Sequence, residues 1–306
     1  KVCQQRRLAL YLPRVSIAPM VDRTDRHFHY FLRLLTKRTM LYTEMIADHS
    51  LQGTSKMPMI IWDFTDIVLE HSGAQHRLKG FEHPISLQLG GADPDTLADA
   101  AALAEELGYN EFAHFPFEIK CDACDQINLN AGCPSSSVTE SFGAILMKTP
   151  EKTADCIRAM KKRVSIPVTL KHRVGVDDLN TYDHMKYFVS QGLSSFFHHI
   201  SLSFLILIDL LKFSGDAGCD LFVVHARIAL LQGLSPKENR TIPPIRYDDV
   251  YRLKKEMPEL NIEINGEVKS IEQIESQLRK VDGVMIGILS LSLSLSLSLS
   301  LSLSFF

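Results

Sequence analysis

The sequence predicts a (β/α)8 barrel on three observations. Eight short β-rich runs recur along its 306 residues, amphipathic segments separate them, and polar residues gather at the C-terminal end of each run. Strands alternating with helices imply parallel pairing through right-handed crossovers, and eight such units close into a barrel. A doubly wound open sheet is the competing arrangement, but no Gly-rich fingerprint supports it.

The runs are Val15–Ala18, Met40–Met45, Ile85–Leu89, Ile127–Asn130, Val168–Lys171, Leu221–His225, Asn261–Asn265 and Gly283–Ile286. Among the intervening segments, Leu97–Leu107 stops at Gly108, a residue suited to a helix C-terminus. Thr153–Val164 carries apolar positions three and four apart behind Pro150, and Tyr247–Met257 and Ile271–Val281 repeat the form.

Composition narrows the function classes. The chain is 45% hydrophobic and 23% charged, with a formal net charge of −3, which excludes a globally basic nucleic-acid binder but leaves room for a local basic patch. Six cysteines do not make a disulfide scaffold. One CxxC, Cys121 and Cys124, is half of a four-ligand zinc site, so no metal is expected. The chain opens on Lys1 rather than Met and reads as a fragment or processed form. No signal-peptide core is visible, so a cytoplasmic or organellar protein is expected rather than a secreted one.

Two segments stand apart. Residues 289–304 are eight Leu-Ser repeats, which a CT dinucleotide repeat would encode, and they read as a gene-model artefact within a low-complexity tail, 288–306. The apolar run Ile200–Leu211 contains Asp209 and falls short of the roughly 20 residues a membrane span needs. No membrane association is expected.

The polar residues occupy equivalent places in successive units. Pro19 and Met20 follow the first run, Glu44 lies in the second, and Gln88 is near the end of the third. Asn130 and Cys133, then Lys171, His172 and Arg173, then His225 and Arg227, then Asn265 and Gly266 follow in turn. Barrel enzymes work at the C-terminal face of their strands, so this ring reads as a site rather than a core.

The string INLNAGCPS at 127–135 resembles the signature of the tRNA-dihydrouridine synthases. Similar stretches follow in family order: SIAPMVDRTDRHF (16–28), TEMIADHS (43–50), HPISLQLGG (83–91), FGAILMK (142–148), PVTLKHRVGVDD (167–178), CDLFVVHAR (219–227) and GLSPKENRTIPPIRY (233–247). The set is most similar to the branch of the bacterial A-type enzyme, which modifies D-loop uridines. The resemblance spans about 14–287 and implies an FMN-bearing barrel followed by a helical tRNA-binding domain. Against that pattern, residues 1–13 are an N-terminal extension, 112–126 and 194–214 are insertions, 54–82 is a candidate third, and the eighth helix and helical domain are missing.

The resemblance also assigns roles. Cys133 is the catalytic acid, a role that needs a protonated thiol rather than a thiolate. Cys3, Cys156 and Cys219 read as small buried hydrophobes. Ala18, Pro19 and Met20 pack on the flavin, Gln88 pairs with its polar edge through both amide functions, Lys171 places positive charge beside it, and His225 bonds the ring or its tail. Asn265, Gly266 and Gly287 offer backbone donors to the phosphate. Asn130 binds the uracil, and Arg227, Lys237, Asn239 and Arg240 meet the tRNA; residues 227–255 hold seven Lys/Arg against three Asp/Glu. NADPH is the expected reductant and a monomer the expected state.

Two departures bear on the cofactor. Ile288 follows Gly287 where the family has an arginine that clamps the phosphate, and Glu267 stands in a turn that is Gly-rich in the family. Three functions compete: a tRNA-uridine reductase, an FMN barrel reducing free pyrimidines, and a defective gene product or flavin-free RNA-binding remnant. The VHAR and SPKENR segments favour the first over the second.

Overall fold

A computed structural model describes residues 13–48, 83–105, 126–134, 142–191 and 218–287. The Leu-Ser tail, 112–125, 194–214, 54–82, Gly108 and the Cys121/Cys124 pair lie outside the described residues.

All eight expected strands form: β1 (Val15–Ile17), β2 (Leu41–Ala47), β3 (Ile85–Gly90), β4 (Gln126–Ala131), β5 (Val168–Arg173), β6 (Leu221–His225), β7 (Ile262–Asn265) and β8 (Gly283–Ile286). They pair in parallel in the order β1-β8-β7-β6-β5-β4-β3-β2. A bridge between Ser16 and Met40 closes the ring, with Ile17 N donating to Met40 O and Met40 N to Val15 O. The strands are close to the predicted spans because parallel strands covered by helices read as runs of buried branched residues. Gln126, placed by its sequence in the 112–126 insertion, is instead the buried first residue of β4, paired in register with Ser86.

Six α-helices are described: α1 (Arg26–Leu35), α2 (Pro94–Ala104), α3 (Pro150–Arg163), α4 (Tyr182–Gln191), α5 (Tyr247–Glu256) and α6 (Ile271–Leu278). Their ends follow local chemistry. Asp25 Oδ1 accepts from Phe28 N, Asp93 Oδ1 from Asp95 N and Thr96 N, and Ser270 Oγ from Gln273 N, each satisfying donors the first turn leaves free. Pro94 and Pro150 open α2 and α3, while Lys161, Lys162 and Arg163 complement the negative end of α3.

Two cores result. Leu87, Leu89, Ile127, Leu129, Leu170, Phe222, Val224 and Ile264 point outward from the strands into the layer shared with the helices. The alternate residues point into the barrel. Ala18, Met40, Tyr42, Leu221, Val223 and Met285 form a small apolar cluster there, but most of the lumen is polar. Gln88 Nε2 donates to Asn128 Oδ1 (2.8 Å), Asn128 Nδ2 to Thr169 Oγ1 (2.9 Å), and Gln126 Nε2 to Tyr42 Oη (2.8 Å). Branched aliphatics dominate typical barrel interiors, whereas this interior is held by hydrogen bonds between adjacent strands and, from Gln126 to Tyr42, across β3.

Candidate active site

Strand register assembles the site. Asn130 pairs with Lys171, and Lys171 with Val223. One step nearer the C-terminal mouth, Arg173 pairs with His225, His225 with Asn265, and Asn265 with Met285. Side chains alternate along a strand, so Lys171 and Arg173 face the same side. The ring read from the sequence is therefore a physical ring on five adjacent strands.

Cys133 sits on the turn leaving β4, half-buried and not disulfide-bonded. Asn130 Oδ1 accepts from both Gly132 N and Cys133 N at 2.9 Å, and Asn130 Nδ2 donates to Gln88 Oε1 at 2.9 Å. Both ends of the Asn130 amide, expected to meet a uracil, thus work inside the protein to shape the thiol's turn. Gln88, 1% exposed, is likewise engaged at both ends of its amide, by Asn128 and Asn130.

Arg173, which carried no role in the sequence reading, holds the other side of this turn. Its Nε donates to Gly132 O (2.9 Å), and its Nη1 donates to Ile228 O (3.0 Å) and Asn239 O (2.9 Å). Asn239 is fully buried, with Oδ1 accepting from Leu230 N and Nδ2 donating to Leu230 O. That corrects its assignment to RNA contact: it is an internal staple of the loop after β6. Asp177 adds a third tie, accepting from Leu231 N at Oδ1 and pairing with Lys148 at 2.7 Å. The only advance sign of these roles was the two-residue spacing of Lys171 and Arg173.

The mouth is cationic. Burial, then repulsion from Arg173, lowers Lys171 to about 8. Burial, then Arg173, Lys171, Arg227 and Arg240, hold His225 well below the usual imidazole range, so its ring is neutral at pH 7. Deeper in the lumen, Glu263 bonds Ser16 and is pushed up to about 7, chiefly by burial. His172 points the other way, against Phe188 and Phe222 in the outer layer.

The remaining expected residues fall at the rim. Ala18 N donates to Ile286 O (2.9 Å), and Met20 O caps the turn through Thr24, leaving Pro19 and Met20 half-buried. Asn265 Nδ2 donates to Met285 O. Gly266 takes φ +125°, and a Cβ on Gly287 would meet nothing within 4 Å. Lys237 and Arg240 are exposed around a short 3-10 turn, Glu238–Arg240. Arg227 corrects a further expectation: it is buried, donating to Pro243 O and pairing with Glu267 at 2.9 Å, so it does not offer its charge to a surface ligand. Its Nε has no acceptor among the described residues. A buried guanidinium with one spare donor beside the Gly266–Glu267 turn, together with Lys171 at the mouth, is a donor set suited to an anionic cofactor group.

The family model for dihydrouridine synthase (Dus) matches residues 16–113, 116–199 and 206–292. The chain belongs to the dihydrouridine synthase family. The tRNA-dihydrouridine(20/20a) synthase of Synechocystis sp. is 44% identical over 277 residues, 89% of this chain and 66% of that protein. Its namesakes in Escherichia coli (strain K12) and Shewanella oneidensis are 42% and 41% identical, covering 90% and 89% of this chain and 64% and 65% of theirs. The chain thus spans about two thirds of the length of these relatives. Among solved structures, morphinone reductase is similar at a TM-score of 0.47 and 11% identity, over 90% of this chain and 81% of that one. Among the described residues no helix is long and apolar enough to cross a membrane.

Proposed function

We propose that this chain is the barrel of an enzyme that reduces uridines of the tRNA D loop to 5,6-dihydrouridine. FMN is the carrier, NADPH the reductant, and the positions are the 20 and 20a for which its relatives are named. The support is one arrangement in a chain of this family: the Cys133 turn, Lys171 and His225 converge on a single mouth. Bound there and reduced, the flavin supplies a hydride to C6 of the pyrimidine. The rest falls to side chains. Cys133 Sγ donates the proton that C5 takes, and is reprotonated from solvent. Asn130 and Arg173 fix the turn that aims it. Lys171 remains mostly protonated at pH 7 and opposes negative charge on the flavin's polar edge. The target base leaves its stack to reach this depth, and Lys237 and Arg240 hold the RNA backbone outside. The active form is a monomer.

The test is turnover with unmodified tRNA. FMN-reconstituted protein should oxidise NADPH in a tRNA-dependent manner, with the product detected as dihydrouridine in nuclease digests. Cys133→Ala should retain the flavin spectrum and lose about a hundredfold or more in rate, the usual worth of a positioned general acid. Equal turnover by Cys133→Ala refutes its role. Reduction of free uracil but not tRNA refutes the substrate, and failure to bind flavin refutes the chemistry.

A further inference from the structure

The lumen buries an acid that the proposed reduction leaves unused. Glu263, on β7, is 2% exposed, and Ser16 Oγ is its hydrogen-bond partner among the described residues. The barrel makes room for it. A Cβ on Gly283, the β8 residue paired with Glu263, would lie 3.2 Å from Glu263 Cγ. A carboxyl taken out of water costs stability unless something compensates it, and one hydroxyl compensates little.

Register supplies the rest. Lys171 on β5 pairs with Val223 on β6, and Val223 with Glu263 on β7, which sets the three in one row. Val223 belongs to the lumenal cluster, so Lys171 and Glu263 on either side of it point inward too. Two strand spacings put their backbones about 10 Å apart. The row lies two residues below Arg173, His225 and Asn265, beneath the mouth. Lys171 faces Arg173, Arg240 and Cys133 as well, and among the described residues Glu263 is the one carboxylate facing it. His225 above the row is neutral, and so is the Tyr42 phenol that Glu263 faces across the lumen. Burial drives both members of the pair towards their neutral forms, Lys171 to about 8 and Glu263 to about 7, and each acts on the other in the opposite sense.

We propose that Glu263 is a positioning residue of the reductase: across the lumen it is the counter-charge of the Lys171 ammonium. The inference rests on the flavin reading above only in its consequence for the cofactor, which meets a cation at the mouth only while Lys171 is protonated. Without the carboxylate, Lys171 gives up its proton at lower pH. Two unit charges about 10 Å apart shift each other by about one pH unit at the effective dielectric of a protein.

Competitive acetylation of the flavin-free full chain with acetic anhydride over a pH series follows this directly, with Lys171 read in its peptide by mass spectrometry. The half-point should lie near 8 in the unaltered chain. It should fall by about one pH unit in Glu263→Gln and return towards the parental value in Glu263→Asp. A half-point near 10.5, the ordinary value of a lysine, would mark an unfolded variant. Lys171→Met then decides, because the charge coupling is reciprocal: the fall of its urea midpoint with pH should continue above the 7 at which Glu263 titrates in the unaltered chain. Reduction potentials of bound FMN test the consequence. Glu263→Gln should match the unaltered chain below pH 7 and be more negative between 7 and 8, where only the unaltered chain keeps Lys171 mostly charged. A Lys171 half-point unmoved in folded Glu263→Gln overturns the proposal, as does a Lys171→Met midpoint that stops falling at 7. Equal potentials at every pH overturn it too. Loss of flavin binding from every protein, with the shifted half-point intact, refutes the flavin reading and leaves the charge pair standing.

Discussion

Replacing Asn130 by alanine should loosen the thiol's turn by an amount the hydrogen bonds define. The side chain makes three: two accepted from Gly132 N and Cys133 N, and one donated to Gln88 Oε1. An orphaned buried polar group costs about 1–3 kcal/mol. Gln88 Oε1 is buried and bears that cost in full, while Gly132 and Cys133 are half-buried, so water recovers part of theirs. The expected loss is about 2–4 kcal/mol, read as a lower urea midpoint at unchanged m-value. Asn130→Asp separates the contributions. It keeps the acceptor for the two backbone donors but sets an oxygen against Gln88 Oε1. It should therefore cost stability while leaving the turn formed. Reactivity of Cys133 towards a bulky maleimide reports the turn directly, rising in the alanine variant and little changed in the aspartate variant. An alanine variant with parental midpoint and thiol reactivity would refute the claim that Asn130 shapes this turn.

Two further outcomes concern Arg173 and Glu263. Arg173→Met removes three bonds joining the Cys133 turn to the loop after β6; amide exchange should quicken in 228–240 while β6 itself stays protected, and uniform protection would refute the coupling. Glu263 is raised to about 7 by burial, so between its ordinary value near 4.5 and 7 the folded state binds more protons than the unfolded one. Stability therefore falls as pH rises through that window, and Glu263→Gln should flatten the fall in urea midpoints measured from pH 4.5 to 7. An equal slope in both proteins would refute it.

Strand positions were legible in the sequence because parallel strands sandwiched between core and helices must be apolar on one face throughout, as Leu87, Leu89, Ile127 and Leu129 are. The ring of candidate residues was legible because a barrel brings every strand end to one face. What each polar residue touches was not. Asn130 and Gln88 look like ligand-binding amides until register sets them beside each other. Arg227 and Asn239 look like surface polar groups until the loop after β6 folds inward over β5. Helix α1 went unread although Asp25 marks its start and Phe28, Leu32 and Leu35 recur at helical spacing, because its buried face also carries the polar His29 and Arg33. Such partnerships depend on which strands become neighbours, and local spacing carries no record of that.

The hydrogen-bonded lumen bears on how this chain reaches its native state. Amides and hydroxyls such as Gln88, Asn128 and Thr169 are well solvated in an open chain and gain nothing from collapsing together. The driving force for compaction lies in the outer layer, where strands meet helices, and the lumen forms only when neighbouring strands arrive in register. A frameshift of one rung would strand a column of buried amides, so the interior acts as a proofreader of strand pairing rather than as the engine of folding.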